Sequence, residues 1–187
     1  NLVPGNYQGS VIEGNLVTNM KTNPGNGSPA YGIRLENSSN NWIVRNNIVQ
    51  NVNAQCMDVD GSDGPSDNNQ IYNNIFINCG RAAIDFYCGL DSGNPGTGSV
   101  RNTQVYNNTF VNSAGGAISV SNHSGACTGN VFRNNIFYDS GSQKLLDWPM
   151  SGAFQNNIVY ATGSGTVLSF NGRSFGCSGL TASVDAD

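Results

Sequence analysis

Three carboxylates stand in two neighbouring segments, two of them, Asp58 and Asp85, at matching places. Asp58 and Asp60 lie in Cys56-Met57-Asp58-Val59-Asp60, and Asp85 lies in Ala83-Ile84-Asp85-Phe86-Tyr87. Each acid alternates with apolar residues, so all three fall on the side of a strand opposite its buried side. Acids at the same place in adjacent strands are about 5 Å apart, and like charges that close repel. A chain that keeps such a cluster usually has a use for it. The carboxylates can accept from sugar hydroxyls beside the Tyr87 ring, hold Ca²⁺ with help from Asp63, or act as the acid and base of a hydrolase. Arg34 and Ser119 occupy the same outward place in Gly32-Ile33-Arg34-Leu35 and Ala117-Ile118-Ser119-Val120. Without a function, the group is a solvated acidic face balanced by Arg34.

Two other candidates are weaker. Glu13, Arg45, Tyr72, Tyr106, Arg133 and Gln155 recur at a second outward place. Two tyrosines between Arg45 and Arg133 could form a flat cation–π platform for sugar rings, or an ordinary ladder covering a sheet. His123, the single histidine, sits in Ser121-Asn122-His123-Ser124-Gly125 with no second His or Cys at ligand spacing, which argues against zinc. Asp58-Val59-Asp60-Gly61-Ser62-Asp63-Gly64 departs from the calcium loop of an EF-hand and has no downstream Glu.

The elements that must position these residues are visible as a repeat. Six segments align without gaps: Glu13-Gly14-Asn15-Leu16-Val17, Arg45-Asn46-Asn47-Ile48-Val49, Tyr72-Asn73-Asn74-Ile75-Phe76, Tyr106-Asn107-Asn108-Thr109-Phe110, Arg133-Asn134-Asn135-Ile136-Phe137 and Gln155-Asn156-Asn157-Ile158-Val159. The second Asn returns at intervals of 32, 27, 34, 27 and 22 residues. A constant unit with loops of changing length is the mark of a solenoid. Apolar columns flank the Asn pair (Ile12, Val44, Ile71, Val105, Phe132, Phe154 before it and Val17, Val49, Phe76, Phe110, Phe137, Val159 after), and a third strand of Gly-Ile-x-Leu type follows. All alternate with period two. The expected fold is all-β, a right-handed parallel β-helix of about six coils and three parallel sheets. The Asn column is expected to take the left-handed turn conformation and to stack as an amide ladder. A second polar column, Asn19, Asn51, Asn78, Asn112 and Asp139, fits another turn. Long loops at Asp60 to Asn69, Tyr87 to Asn102 and Ser121 to Asn130 should wall one side of the acidic face, with Glu36, Asp60, Tyr87 and Ser121 in one column. One domain is expected over 1–187, with coils over 11–171 and caps at 1–10 and 172–187.

Composition sets the outer limits. Charged residues make up only 11% of 187, with 24 Gly and about thirty Asn, a surface unsuited to helices. A net charge of −4 and the lack of any Lys/Arg run exclude a nucleic-acid surface, and no apolar run reaches the length of a membrane span. Five cysteines favour an oxidising, extracellular location, and the odd number leaves at least one outside an internal pair. Cys88 and Cys127, one coil apart, are candidates for a disulfide.

The Asn-Asn-Ile-Val/Phe units and the Gly-Ile-x-Leu strands resemble the pectate-lyase-like superfamily of parallel β-helix proteins over about residues 11–171. That superfamily holds polysaccharide lyases, glycoside hydrolases, epimerases, phage tailspikes and β-helical carbohydrate-binding modules attached to xylanases. The resemblance therefore implies a polysaccharide ligand and leaves the activity open. The Asn-Thr-Asp, Asp-Asp and Gly-His-Gly motifs of β-helical polygalacturonases are absent, and an acidic groove with Arg34 as its one evident base suits a lyase poorly. The chain is most similar to the carbohydrate-binding modules. This implies a monomer binding xylan or a related plant cell-wall hemicellulose, fused to a glycoside hydrolase, without a required cofactor. Its site would comprise Arg34, Asp58, Asp60, Asp85, Tyr87, Ser119 and His123. The alternative is a small lyase or hydrolase acting through Asp58, Asp60 and Asp85. A tailspike would need trimerisation and a large exposed apolar face, which the pattern does not suggest.

Overall fold

A computed structural model describes residues 9–22, 24, 25, 27–36, 38–89, 98–122, 125–139, 144–161, 166–176 and 182–186. The first coil contributes β1 (Val11–Glu13), β2 (Leu16–Thr18) and β3 (Ile33–Leu35), and the second β4 (Ile43–Arg45), β5 (Ile48–Val52) and β6 (Met57–Asp60). The third contributes β7 (Gln70–Tyr72), β8 (Ile75–Cys79) and β9 (Ile84–Tyr87), and the fourth β10 (Gln104–Tyr106), β11 (Thr109–Val111) and β12 (Ile118–Asn122). The fifth holds β13 (Asn130–Arg133), β14 (Ile136–Asp139) and β15 (Leu146–Trp148), and the sixth β16 (Gly152–Ala161) and β17 (Thr166–Phe170). Every strand of a coil pairs in parallel with its counterpart in the next. This is a right-handed parallel β-helix of six coils, the hand that parallel crossovers take. No helix among the described residues is long and apolar enough to cross a membrane.

The first and second faces are not separate sheets throughout. β16 spans the corner, which Asn156 turns at φ 52°, and joins the two faces into one 12-stranded sheet. β19 (Ala182–Ala186) crosses that corner antiparallel, pairing with Phe154 on one side and Asn157 to Val159 on the other. β18 (Arg173–Gly176) turns back antiparallel on β17 at the end of the third face.

The inward columns fill the prism. Val44, Val49, Val59, Ile71, Phe76, Ile84, Phe86, Val105, Phe132, Phe137, Leu146 and Trp148 are fully buried. Because coils repeat in register, like stacks on like: Phe76, Phe110 and Phe137 lie ring on ring at 5.4 and 5.0 Å, while Trp148 meets Phe86 and Phe132 edge-on. Burying one such ring contributes about 1.5–3 kcal/mol, so the core supplies most of the fold's stability.

The corner divides the work of the Asn pair between its two members. The first residue of each pair carries the left-handed backbone, Asn46, Asn73, Asn107, Asn134 and Asn156 at φ between 52° and 55°. The second residue, expected to do both jobs, keeps ordinary backbone and is buried as the ladder. Asn108 shows its logic. Its Oδ1 accepts from the backbone N–H and the Nδ2 of Asn74, both at 3.0 Å, while its Nδ2 donates to Ile71 O at 2.9 Å and Asn135 Oδ1 at 3.1 Å. The same bonds run from Asn15 to Asn157. Asn19, Asn51, Asn78 and Asn112 turn the next corner in the left-handed conformation, as their column requires.

Two disulfides tie coils together, Cys56–Cys79 and Cys88–Cys127, the second of which the sequence suggests. The loops after the third face lie on one another as extended chain: Ser66 N–H donates to Ser99 O at 2.9 Å, and Ser99 pairs with Ala126 in a parallel bridge. Gly61 is needed there, because a Cβ would overlap the Ser99 carbonyl. The outward side of the second face departs from expectation. Leu16, Ile48, Ile75, Ile136 and Ile158 form an exposed apolar column, 38–63% accessible, interrupted only by Thr109. Alternating patterns fix which residues point outward, and here the outward ones are apolar too.

Candidate binding cleft on the third face

Parallel pairing of β3, β6 and β9 sets Arg34 beside Asp58 and Asp58 beside Asp85, with Asp60 beside Tyr87. All three acids are buried, at 4%, 3% and 2% exposure, which makes their partners decisive. Arg34 Nε donates to Asp58 Oδ2 at 2.8 Å, its Nη2 to Asp60 Oδ2, and its Nη1 lies 3.3 Å from Glu36 Oε1. The guanidinium also covers the Tyr31 ring, 4.9 Å from its centre. Asp60 accepts further from the Ser62 N–H at 2.8 Å, which turns the chain out of the strand. Asp85 takes the hydroxyls of both Ser119 and Ser121.

That last arrangement corrects the expected column. β12 slips by one residue after Val120, so Asn122 and not Ser121 lies opposite Tyr87. The irregularity lets Ser119 and Ser121, two residues apart, converge on one carboxylate, and two charge-neutral donors stabilise it without adding a cation.

Asp58 is the least provided for. Its donor among the described residues is Arg34, which reaches Oδ2. Burial is the largest influence on it; Arg34 works against burial, and the neighbouring Asp60 and Asp85 work with it. The carboxyl is pushed up to about 7. Burial also raises the Tyr31 phenol, helped by Asp58. Arg34 is held above its ordinary value by Asp58, Glu36 and Asp60 although burial opposes this.

These groups line a cleft of about 310 Å³ with Tyr31, Gln55, Arg81, Tyr87 and Ser121. Of the residues named from sequence, Arg34, Asp58, Asp60, Asp85 and Tyr87 come together in it. Ser119 supports Asp85 through its hydroxyl and is not part of the lining. His123 lies outside the described residues. Asp63 is exposed and does not face the cleft, and Arg81 adds a second cation where Arg34 was expected to be the only one. Gln55 is 6% exposed, and its Oε1 is buried with no hydrogen-bond partner. An orphaned buried oxygen of this kind costs about 1–3 kcal/mol.

Tyr31, Gln55 and Arg81 escaped the sequence reading because they precede the strands, where alternation by two breaks down at a corner. A signal existed: Tyr31 and Gln55 stand three residues before Arg34 and Asp58, in register.

The second strip lies on another side of the prism, the first face. Arg45, Tyr72, Tyr106 and Arg133 occupy one column in register. Tyr72 and Tyr106 stack on each other at 4.8 Å and 10°, and Arg133 sits 4.7 Å over Tyr106. Both faces of the Tyr106 ring are thereby covered, and the tyrosines form a stacked ladder. Arg45 completes it, donating to Tyr72 Oη and Glu13, each at 2.9 Å.

A family model described as periplasmic copper-binding protein (NosD) matches residues 3–85. No curated protein and no solved structure matches the chain. The match agrees with a parallel β-helix, and a periplasmic setting is compatible with the extracellular location expected from the cysteines. Among the described residues copper finds no fitting donor set. Copper sites draw on imidazole, thiolate and thioether ligands. Among the described residues no His, Cys, Asp and Glu are grouped to hold a metal ion, four cysteines are in disulfides, and Met57 is core. Nor is any group of acids among the described residues set to hold Ca²⁺.

Proposed function

We propose that the third-face cleft binds a polysaccharide outside the cell without cleaving it. One observation carries this reading: buried carboxylates fixed in place by Arg34, Ser119 and Ser121 line a cleft that also contains Tyr31 and Tyr87. Hydrogen-bonding groups with locked orientation beside ring surfaces are what polyhydroxylated ligands need, and the volume is near the lower end for small-ligand sites, enough for one or two sugar units. The resemblance to β-helical modules of xylanases makes xylan the first glycan to test and an attached hydrolase the expected setting.

A hydrolase is the second reading, favoured by Asp58: a carboxyl held protonated near neutrality beside other acids is suited to protonate a leaving group. Native gels containing xylan, β-glucan or pectin, run alongside assays for reducing ends and unsaturated products, separate the two. Retardation without products, lost on combined Asp60→Ala and Tyr87→Ala substitution, supports binding. Products that vanish with Asp58→Asn would replace it with catalysis.

A further inference from the structure

We infer that the glycan taken by this cleft carries a free amino group, seated as an ammonium against Asp58 and Gln55. The inference rests on the glycan reading above and narrows it to an amino sugar. One acceptor in the lining, the buried Oε1 of Gln55, has no hydrogen-bond partner, and Asp58 takes its donor from Arg34 on Oδ2. They stand three positions apart in the chain, and both line the cleft. Tyr31 precedes Arg34 by the same three residues, so its ring stands over the pair's neighbouring rung.

The chemistry of the missing partner follows from what each candidate group donates and accepts. A sugar hydroxyl donates one hydrogen bond and brings lone pairs that face the carboxylates unfavourably. An ammonium donates three and accepts none, so it can serve the Gln55 oxygen and still donate to Asp58. Charge points the same way. Asp58, Asp60 and Asp85 face the cleft against Arg34, whose guanidinium is already divided among Asp58, Asp60 and Glu36, and against Arg81 at the exposed rim. A cation entering beside Asp58 relieves the repulsion among the acids, whereas an anionic uronate would meet it.

The seat also predicts a proton count. Asp58 is held near 7 by burial and by Asp60 and Asp85, against Arg34. A cation bound next to it favours the carboxylate, so at about pH 6 ammonium binding should expel close to one proton from Asp58. A neutral sugar has no such effect.

Calorimetric titration of the whole chain at about pH 6, in two buffers of different ionisation heat, tests this. The ligands are oligomers of glucosamine, of N-acetylglucosamine and of xylose, with spermidine as an amine lacking a sugar. Expected is binding of the glucosamine oligomer at least about tenfold tighter than the other three, with release of close to one proton. Asp58→Asn should abolish the proton release. Gln55→Leu, which removes an orphaned oxygen and so does not threaten the fold, should weaken the glucosamine oligomer several-fold and leave the proton release intact. Xylose or N-acetylglucosamine oligomers binding as tightly would overturn the ammonium seat and leave the glycan reading standing. Spermidine binding as tightly as the sugar would overturn the glycan reading, and failure of every ligand would overturn both.

Discussion

Replacing Asp58 with Asn should make the protein more stable, and increasingly so as the pH rises. Asn keeps the shape of the side chain and an oxygen for the Arg34 Nε–H, now 2.8 Å from Asp58 Oδ2, but it cannot ionise. The folded carboxyl titrates near 7 against an ordinary 3.8. A raised value in the folded state means that the protonated form contributes stability fully below about pH 4 and loses it as pH climbs through 7. The gap between 3.8 and about 7 corresponds to about 4 kcal/mol, an upper figure because burial here is shared with Arg34. The two proteins should therefore be nearly equal at pH 4 and separate by up to about 4 kcal/mol at pH 8, with Asp58→Asn the more stable. Urea unfolding of both, disulfides intact, from pH 4 to pH 8 measures the difference directly, and carbon NMR of the Asp58 carboxyl locates its titration. A difference that stays flat with pH would refute the reasoning. One that shifts to favour the wild type at high pH would show that Arg34 outweighs burial and holds the acid ionised.

Other consequences are as direct. Asn108→Ala removes the acceptor of a buried backbone N–H and the donor to Ile71 O, and should cost about 3–5 kcal/mol in urea unfolding. Its neighbour Asn107, at φ 55°, should tolerate Gly almost without loss and lose about 1 kcal/mol as Ala, an ordering that equal losses at both positions would contradict. Removing the Cys88–Cys127 link, which closes 39 residues, should cost about 4 kcal/mol by chain entropy, and the 23-residue Cys56–Cys79 link about 3, read as midpoints of the serine variants. Gly61→Ala should displace the loop that carries Ser99 and weaken ligand binding in the cleft more than it lowers thermal stability.

Inward positions were legible because two constraints agree at each: period two within a strand and like residues at one place in every coil. Val105 or Phe132 could be assigned from either. Outward positions carry only the first constraint, so the register placed Asp58 beside Arg34 and Asp85 while the convergence of Ser121 on Asp85 stayed hidden. Ser121 shows why. A one-residue slip after Val120 depends on how the chain leaves the strand, and nothing in Ile118-Ser119-Val120-Ser121-Asn122 breaks the alternation. Which Asn of each pair bends the chain was hidden for a similar reason, since both types tolerate the left-handed region and only burial of the second decides. Gly14 was the clue: it replaces the first member in the first coil, where φ is 68°.

The NosD match and the lack of copper donors among the described residues are compatible once inward and outward residues are treated apart. A match over residues 3–85 spans three coils, and what three coils share is the ladder Asn15, Asn47, Asn74 and the apolar columns beside it. Those residues point inward or into corners and would be required of any chain wound this way, whatever it binds. Ligand chemistry resides on the outward side, where Arg34, Asp58 and Asp85 stand. The matched segment also ends at Asp85 itself, one coil short of the hydroxyls of Ser119 and Ser121 that hold that carboxylate in place. Three coils alone would leave Asp85 buried against nothing that donates to it. The cleft is therefore a property of four stacked coils, and its ligand has to be sought from the acids, amide and rings that those coils bring together.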